Sequence, residues 1–151
     1  MSREAKVIKP GAWDIEQTIN HHESFGWELL SINNDTVVMS RETQSPVYDT
    51  LIKNEAKYQR LINEYMEMTY PEAPEAYKPF KFGKFLVLFI LGVLPGFIYA
   101  CAKRRQKKNH KKALERYQMM VEIREGEKLE LLEKIEQLVL NSRATFYAKH
   151  K

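Results

Sequence analysis

Apolar and polar positions along the chain change period several times, and each change marks an element. Ala5-Lys-Val-Ile-Lys9 alternates as a short strand does and stops at Pro10-Gly11. Ala12 to Ser24 fits an amphipathic helix, with Trp13, Ile15, Ile19 and His22 roughly on one side. Gly26 follows where a helix-closing glycine is expected. Trp27 to Ile32 reads as a strand, Asn33-Asn34-Asp35 as a turn, and Thr36 to Ser40 as the hairpin partner. Residues 1–45 are therefore expected to form a small βαββ module.

Ser45-Pro46 starts a second, amphipathic helix over residues 46–70, because proline is tolerated in a first turn. Tyr48, Leu51, Tyr58, Ile62 and Tyr65 recur along it at helical spacing, interrupted only by Glu55, and read as a packing seam. Residues 71–84 are a proline-containing linker. Phe85 to Ala102 then run without a charge. A helix over this stretch covers roughly 27 Å at ~1.5 Å per residue, close to the ~30 Å hydrocarbon core of a bilayer. The pattern predicts one transmembrane helix, with Lys81 and Lys84 snorkelling at one interface and Tyr99 near the other.

Leu94-Pro95-Gly96, just past the middle of that segment, is a place where the helix could break. A re-entrant path would keep both ends on one side, but each arm would be short, so a single-pass helix is favoured. Contact within one chain between Leu51–Tyr65 and Leu114–Leu138 would require the segment to turn back.

Beyond the apolar segment, residues 103–151 read as a basic collar followed by a cytoplasmic amphipathic or coiled-coil helix. With Leu114 as an a position, the apolar a and d positions are Leu114, Tyr117, Val121, Leu131, Ile135 and Leu138, a helix-packing seam. Arg124 and Lys128, with Gly126 between them, interrupt it. The expected fold class is α+β: the βαββ module, an amphipathic helix, one transmembrane helix and the C-terminal helix.

Charge divides the chain in the same place. Residues 1–84 hold ten Lys/Arg against thirteen Asp/Glu, and residues 103–151 hold fourteen against seven. Lys103, Arg104, Arg105, Lys107, Lys108, Lys111 and Lys112 crowd just after the apolar segment. By the positive-inside rule they place the C-terminus in the cytoplasm and the protein in the cell membrane, with anionic lipid headgroups and the bilayer as partners. The same run could hold nucleic-acid phosphates, but it lacks interleaved aromatics to stack on bases.

Candidate chemistry is sparse. Cys101 is the single cysteine, so neither an intramolecular disulfide nor a cysteine zinc site can form. Met1–Pro10 has no apolar core of the signal-peptide kind. His21 and His22 are adjacent and point about 100° apart on a helix, unlike an i,i+4 metal pair. No phosphate-cradling glycine loop, GxSxG or HExxH occurs, and no cofactor is indicated. The expectation is a membrane-anchored scaffold or adaptor without catalysis, associating with itself or with protein partners. A membrane-tethered nucleic-acid binder using Lys103–Lys112 is the alternative.

The helix followed by Phe25-Gly-Trp-Glu-Leu-Leu-Ser31, a short hairpin and the strand Val37-Val-Met-Ser-Arg41 resembles a small bacterial domain family of unknown function. That family carries a Gly-Trp-Glu-Leu-Val-Ser core and a last strand ending in Lys or Arg. The resemblance covers residues 5–42 and implies a βαββ fold and a bacterial source, with no activity to carry over.

Overall fold

A computed structural model describes residues 2–148. Met1–Thr69 and Glu127–Lys151, distant in sequence, make one compact unit, and Tyr70–Gly126 makes a second.

The first unit is built on an antiparallel sheet. Strands β1 (Arg3–Ile8), β2 (Glu28–Asn33) and β3 (Thr36–Glu42) lie in the order β1-β3-β2, with helix α1 (Ile15–Glu23) between β1 and β2 in sequence. The central strand β3 pairs Val37 with Ile8 and Ile32, and Met39 with Lys6 and Leu29. Val37 and Met39 are accordingly fully buried, whereas the edge strand β2 exposes Leu29, Leu30 and Ile32. Asp14 caps α1 by accepting a 2.7 Å hydrogen bond from the Gln17 N–H. At the other end Gly26 (φ +80°) permits a Schellman closure, in which its N–H donates to the Glu23 carbonyl and that of Trp27 to the His22 carbonyl. A Cβ at Gly26 would come within 3.1 Å of Leu51 Cδ1. Glycine is therefore required twice over there, by backbone and by space.

Helix α2 (Tyr48–Glu67) and the end of α4 (Val93–Ala148) complete this unit. Phe25, Trp27, Val37, Met39, Tyr58, Ile135 and Val139 share one buried cluster, with Leu61, Ile62, Tyr65 and Leu138 packed against it. Polar contacts tie the same surfaces together. Asn54 Nδ2 donates to Ser142 Oγ at 3.0 Å, and Arg143 Nε donates to Ser24 Oγ at 3.1 Å. The seam of α2 and the far end of the chain thus meet in one core.

The second unit is a helical hairpin preceded by an extended segment. Helix α3 (Phe82–Ile90) ends at Leu91-Gly92, and α4 begins at Val93. Pro95 and Gly96 do not break a helix, because they fall in the first turn of α4, where a missing N–H costs nothing. Gly96 lets the two helices close, since a Cβ there would sit 3.2 Å from Phe89 Cα. The segment before α3 runs back along α4. The Lys81 N–H donates to Tyr99 Oη at 3.4 Å, Lys103 Nζ donates to the Lys78 carbonyl at 3.1 Å, and the Tyr77 and His110 rings lie 6.0 Å apart.

These features correct the expected transmembrane helix over Phe85–Ala102. Among the described residues, no helix is long and apolar enough to cross a membrane. The apolar run is split between α3, a nine-residue helix of about 14 Å, and the first ten residues of α4, about 15 Å at ~1.5 Å per residue. The chain leaving at Tyr70 must return by Gly126, because the segments on either side belong to one folded unit. Neither a single-pass protein nor placement in the cell membrane with a cytoplasmic C-terminus follows, since the positive-inside rule has no spanning segment to orient.

Candidate functional site

In the first unit the polar side chains gather around Glu55, on the seam of α2. Its carboxylate accepts from Lys6 Nζ at 2.8 Å, Trp27 Nε1 at 3.1 Å and Arg41 Nη1 at 2.8 Å. Arg41, with a side chain only 5% exposed, also pairs with Glu4 at 2.6 Å and donates to the Phe25 carbonyl. Its guanidinium lies 4.3 Å from the centroid of the Trp27 ring. Every charge in this knot has a partner, so it fixes how β1, β3 and α2 meet.

Next to it, His22 Nδ1 donates to the Thr18 carbonyl at 2.8 Å, and His21 Nδ1 shares a 2.8 Å hydrogen bond with Tyr58 Oη. Burial pushes the Tyr58 hydroxyl above the usual phenol range. Both imidazoles are held below 6.5. Burial does most of this for His21, helped by the charges of His22 and Arg143 against Glu136. Burial also leads for His22, with Lys6 and Arg41 adding to it and the Thr18 carbonyl and Glu55 opposing. Burial alone would raise Glu55, but the hydrogen bonds and charges of Lys6, Arg41 and Trp27 outweigh it and hold the carboxyl below 4.5.

All three shifts act in one direction. The unfolded chain protonates its histidines first as pH falls through 6.5, and Glu55 first as pH falls through 4.5. Stability is full above 6.5, declines below it, and declines again below 4.5. Urea unfolding followed by Trp13 and Trp27 fluorescence should show a midpoint that falls between about pH 7 and about pH 5. A flat midpoint over that range contradicts the lowered titration of His21 and His22.

The second unit carries the opposite kind of surface. Phe82, Val87, Ile90, Leu91, Val93, Leu94, Phe97 and Ile98 all stand exposed along the hairpin, with Leu91 and Leu94 at its tip 75% and 77% exposed. So contiguous an apolar surface marks a contact site. At its base, Lys103 is half-buried, held against the Lys78 carbonyl and 5.8 Å from the Tyr77 ring. Arg104, Arg105, Lys107, Lys108, Lys111 and Lys112 are exposed along α4. Between Tyr99 and Leu114 the sequence holds no carboxylate, and the first, Glu115, reaches Lys111 at only 3.8 Å. The chain thus brings an apolar tip and a cationic base together on one hairpin.

The expected helix seam divides between the two units. Leu131 and Ile135 are buried in the first and Leu138 packs against its core. Leu114 is exposed, and Tyr117 and Val121 are half-buried, in the second. Glu55 is the residue the sequence pattern undervalued. It reads as a polar interruption of an apolar stripe, and that interruption is itself the only signal for a buried ion network.

No protein-family model matches the chain, and neither a curated protein nor a solved structure shows significant similarity to it.

Proposed function

We propose that the protein is a non-catalytic scaffold that docks on a lipid surface through the α3–α4 hairpin without crossing it. The observation that carries this reading is the exposed apolar hairpin standing on a cationic base. Each fully buried Leu, Ile, Val or Phe side chain contributes about 1.5–3 kcal/mol, so seating the tip in acyl chains favours docking strongly. Two helical arms of about 14–15 Å match one leaflet of a ~30 Å hydrocarbon core. Every backbone group in the arms is helical except at the turn, as a lipid-embedded segment requires. Tyr77, Tyr99 and the basic side chains lie at the base, where amphipathic aromatics and cations favour the headgroup region. The α+β unit is what such an anchor holds at the surface.

The test is co-flotation of the detergent-purified full chain with phosphatidylcholine vesicles after detergent removal. The protein is expected to float with the vesicles and to resist extraction by high salt, because the apolar tip needs no charge to bind. Protein that stays in the dense fraction, or forms soluble oligomers that ignore the vesicles, overturns the reading and assigns the hairpin to contact between copies.

A further inference from the structure

We infer that a groove at the foot of α4 seats the phosphate of an anionic lipid headgroup, an inference that rests on the lipid-docking reading. The groove encloses about 740 Å³ and is walled by Tyr77 on the extended segment and by Arg104, Lys108 and Lys111 on the helix. A volume of this order suits a small ligand, and the cations stand around a largely apolar floor, as a lipid with a charged head and apolar chains would need. Arg104, Lys108 and Lys111 follow at i, i+4 and i+7, so they line one helical stripe. Arg105 and Lys107 flank that stripe and add two further cations to the lining, and no carboxylate lines it among the described residues.

Like charges at these spacings repel one another on a bare helix. An anion lying among them relieves that repulsion, and a phosphate oxygen cluster matches both the guanidinium fork of Arg104 and the ammonium groups. The wall opposite is braced, since the Tyr77 ring lies tilted against His110 at 6.0 Å and Lys103 holds the Lys78 carbonyl. The groove is therefore partly formed before a ligand arrives.

Its position selects lipid over other phosphates. Cys101, at one end of the groove, lies one turn beyond Phe97 and Ile98, whose side chains are exposed to the apolar side. A phosphate in the groove thus sits at the boundary between acyl chains and water, where a glycerophospholipid carries its own. A nucleic-acid strand would instead lie against the exposed apolar side chains of Phe97 and Ile98.

The experiment compares the full chain with a variant carrying R104Q, K108Q and K111Q. Binding is measured on phosphatidylcholine vesicles and on phosphatidylcholine vesicles containing phosphatidylserine. The wild type should prefer the anionic vesicles, and the variant should bind them about a hundredfold more weakly, from three surface cations lost. Binding of both proteins to phosphatidylcholine alone should be equal. An undiminished anionic preference in the variant overturns the groove while leaving the anchor intact. Loss of wild-type binding to both vesicle types overturns the anchor and the groove with it. Inorganic phosphate or an oligonucleotide that occupies the groove with vesicles still bound reassigns it to a soluble ligand and also overturns the inference.

Discussion

Replacing both Leu91 and Leu94 with aspartate should abolish binding to phosphatidylcholine vesicles while leaving the unfolding of the α+β unit unchanged. The two leucines are among the most exposed apolar residues of the hairpin and flank its turn. Each substitution removes about 1.5–3 kcal/mol of apolar burial and adds a carboxylate that costs about 2.5–3.5 kcal/mol at the depth of the bilayer centre. Two together exceed the margin of any ordinary peripheral association. The side chains lie outside the unit that holds Trp13 and Trp27, so urea unfolding followed by tryptophan fluorescence supplies the control. A variant that still floats with the vesicles shows that the tip is not the contact surface. A variant with the wild-type unfolding midpoint but no flotation is the expected result.

The second large effect concerns the α+β unit itself. Glu55→Ala is expected to lower the stability of the α+β unit by about 3–5 kcal/mol, the range for removing one partner of a buried ion pair. The Glu55 and Arg41 side chains are 13% and 5% exposed. Without the carboxylate, Arg41 keeps Glu4 as its one carboxylate partner, and the Trp27 Nε1 hydrogen is left without its acceptor. Glu55→Gln retains an acceptor without the charge and should fall between the alanine variant and the wild type. Equilibrium urea unfolding measures both. A loss below about 1 kcal/mol for the alanine variant, the level of an exposed pair, contradicts the buried network.

Local rules made most of the α+β unit legible. Pro10-Gly11, Gly26 and Asn33-Asn34-Asp35 punctuate the chain between periodic stretches, and the three strands and α1 lie between them. Gly26 was readable because a helix that turns sharply into a strand needs a positive φ. The partners of Glu55 were not, because Lys6, Trp27 and Arg41 come from separate places in the chain and share no spacing with it. The same limit governs Leu131, Ile135 and Leu138. Their helical period shows that the helix buries a face, and says nothing of the core they enter, which belongs to residues more than sixty positions earlier.

Apolar length misled most. The stretch Phe85–Ala102 is as long as a spanning helix, and Pro95-Gly96 near its middle is not where the chain turns. A turn at Leu91-Gly92 puts Pro95 into a first turn, where its ring and missing N–H are harmless. The decisive fact lay outside the segment, in the shared core of the chain before it and the chain after it.

That return path is the central claim, and one distance tests it most directly. Spin labels at positions 78 and 103, with Cys101 replaced by serine, report the separation of the two ends of the apolar segment in vesicle-bound protein. The Lys103 ammonium lies 3.1 Å from the Lys78 carbonyl, so strong dipolar broadening from neighbouring labels is expected. A separation of about 27 Å or more, the length of an eighteen-residue helix at ~1.5 Å per residue, would contradict the hairpin.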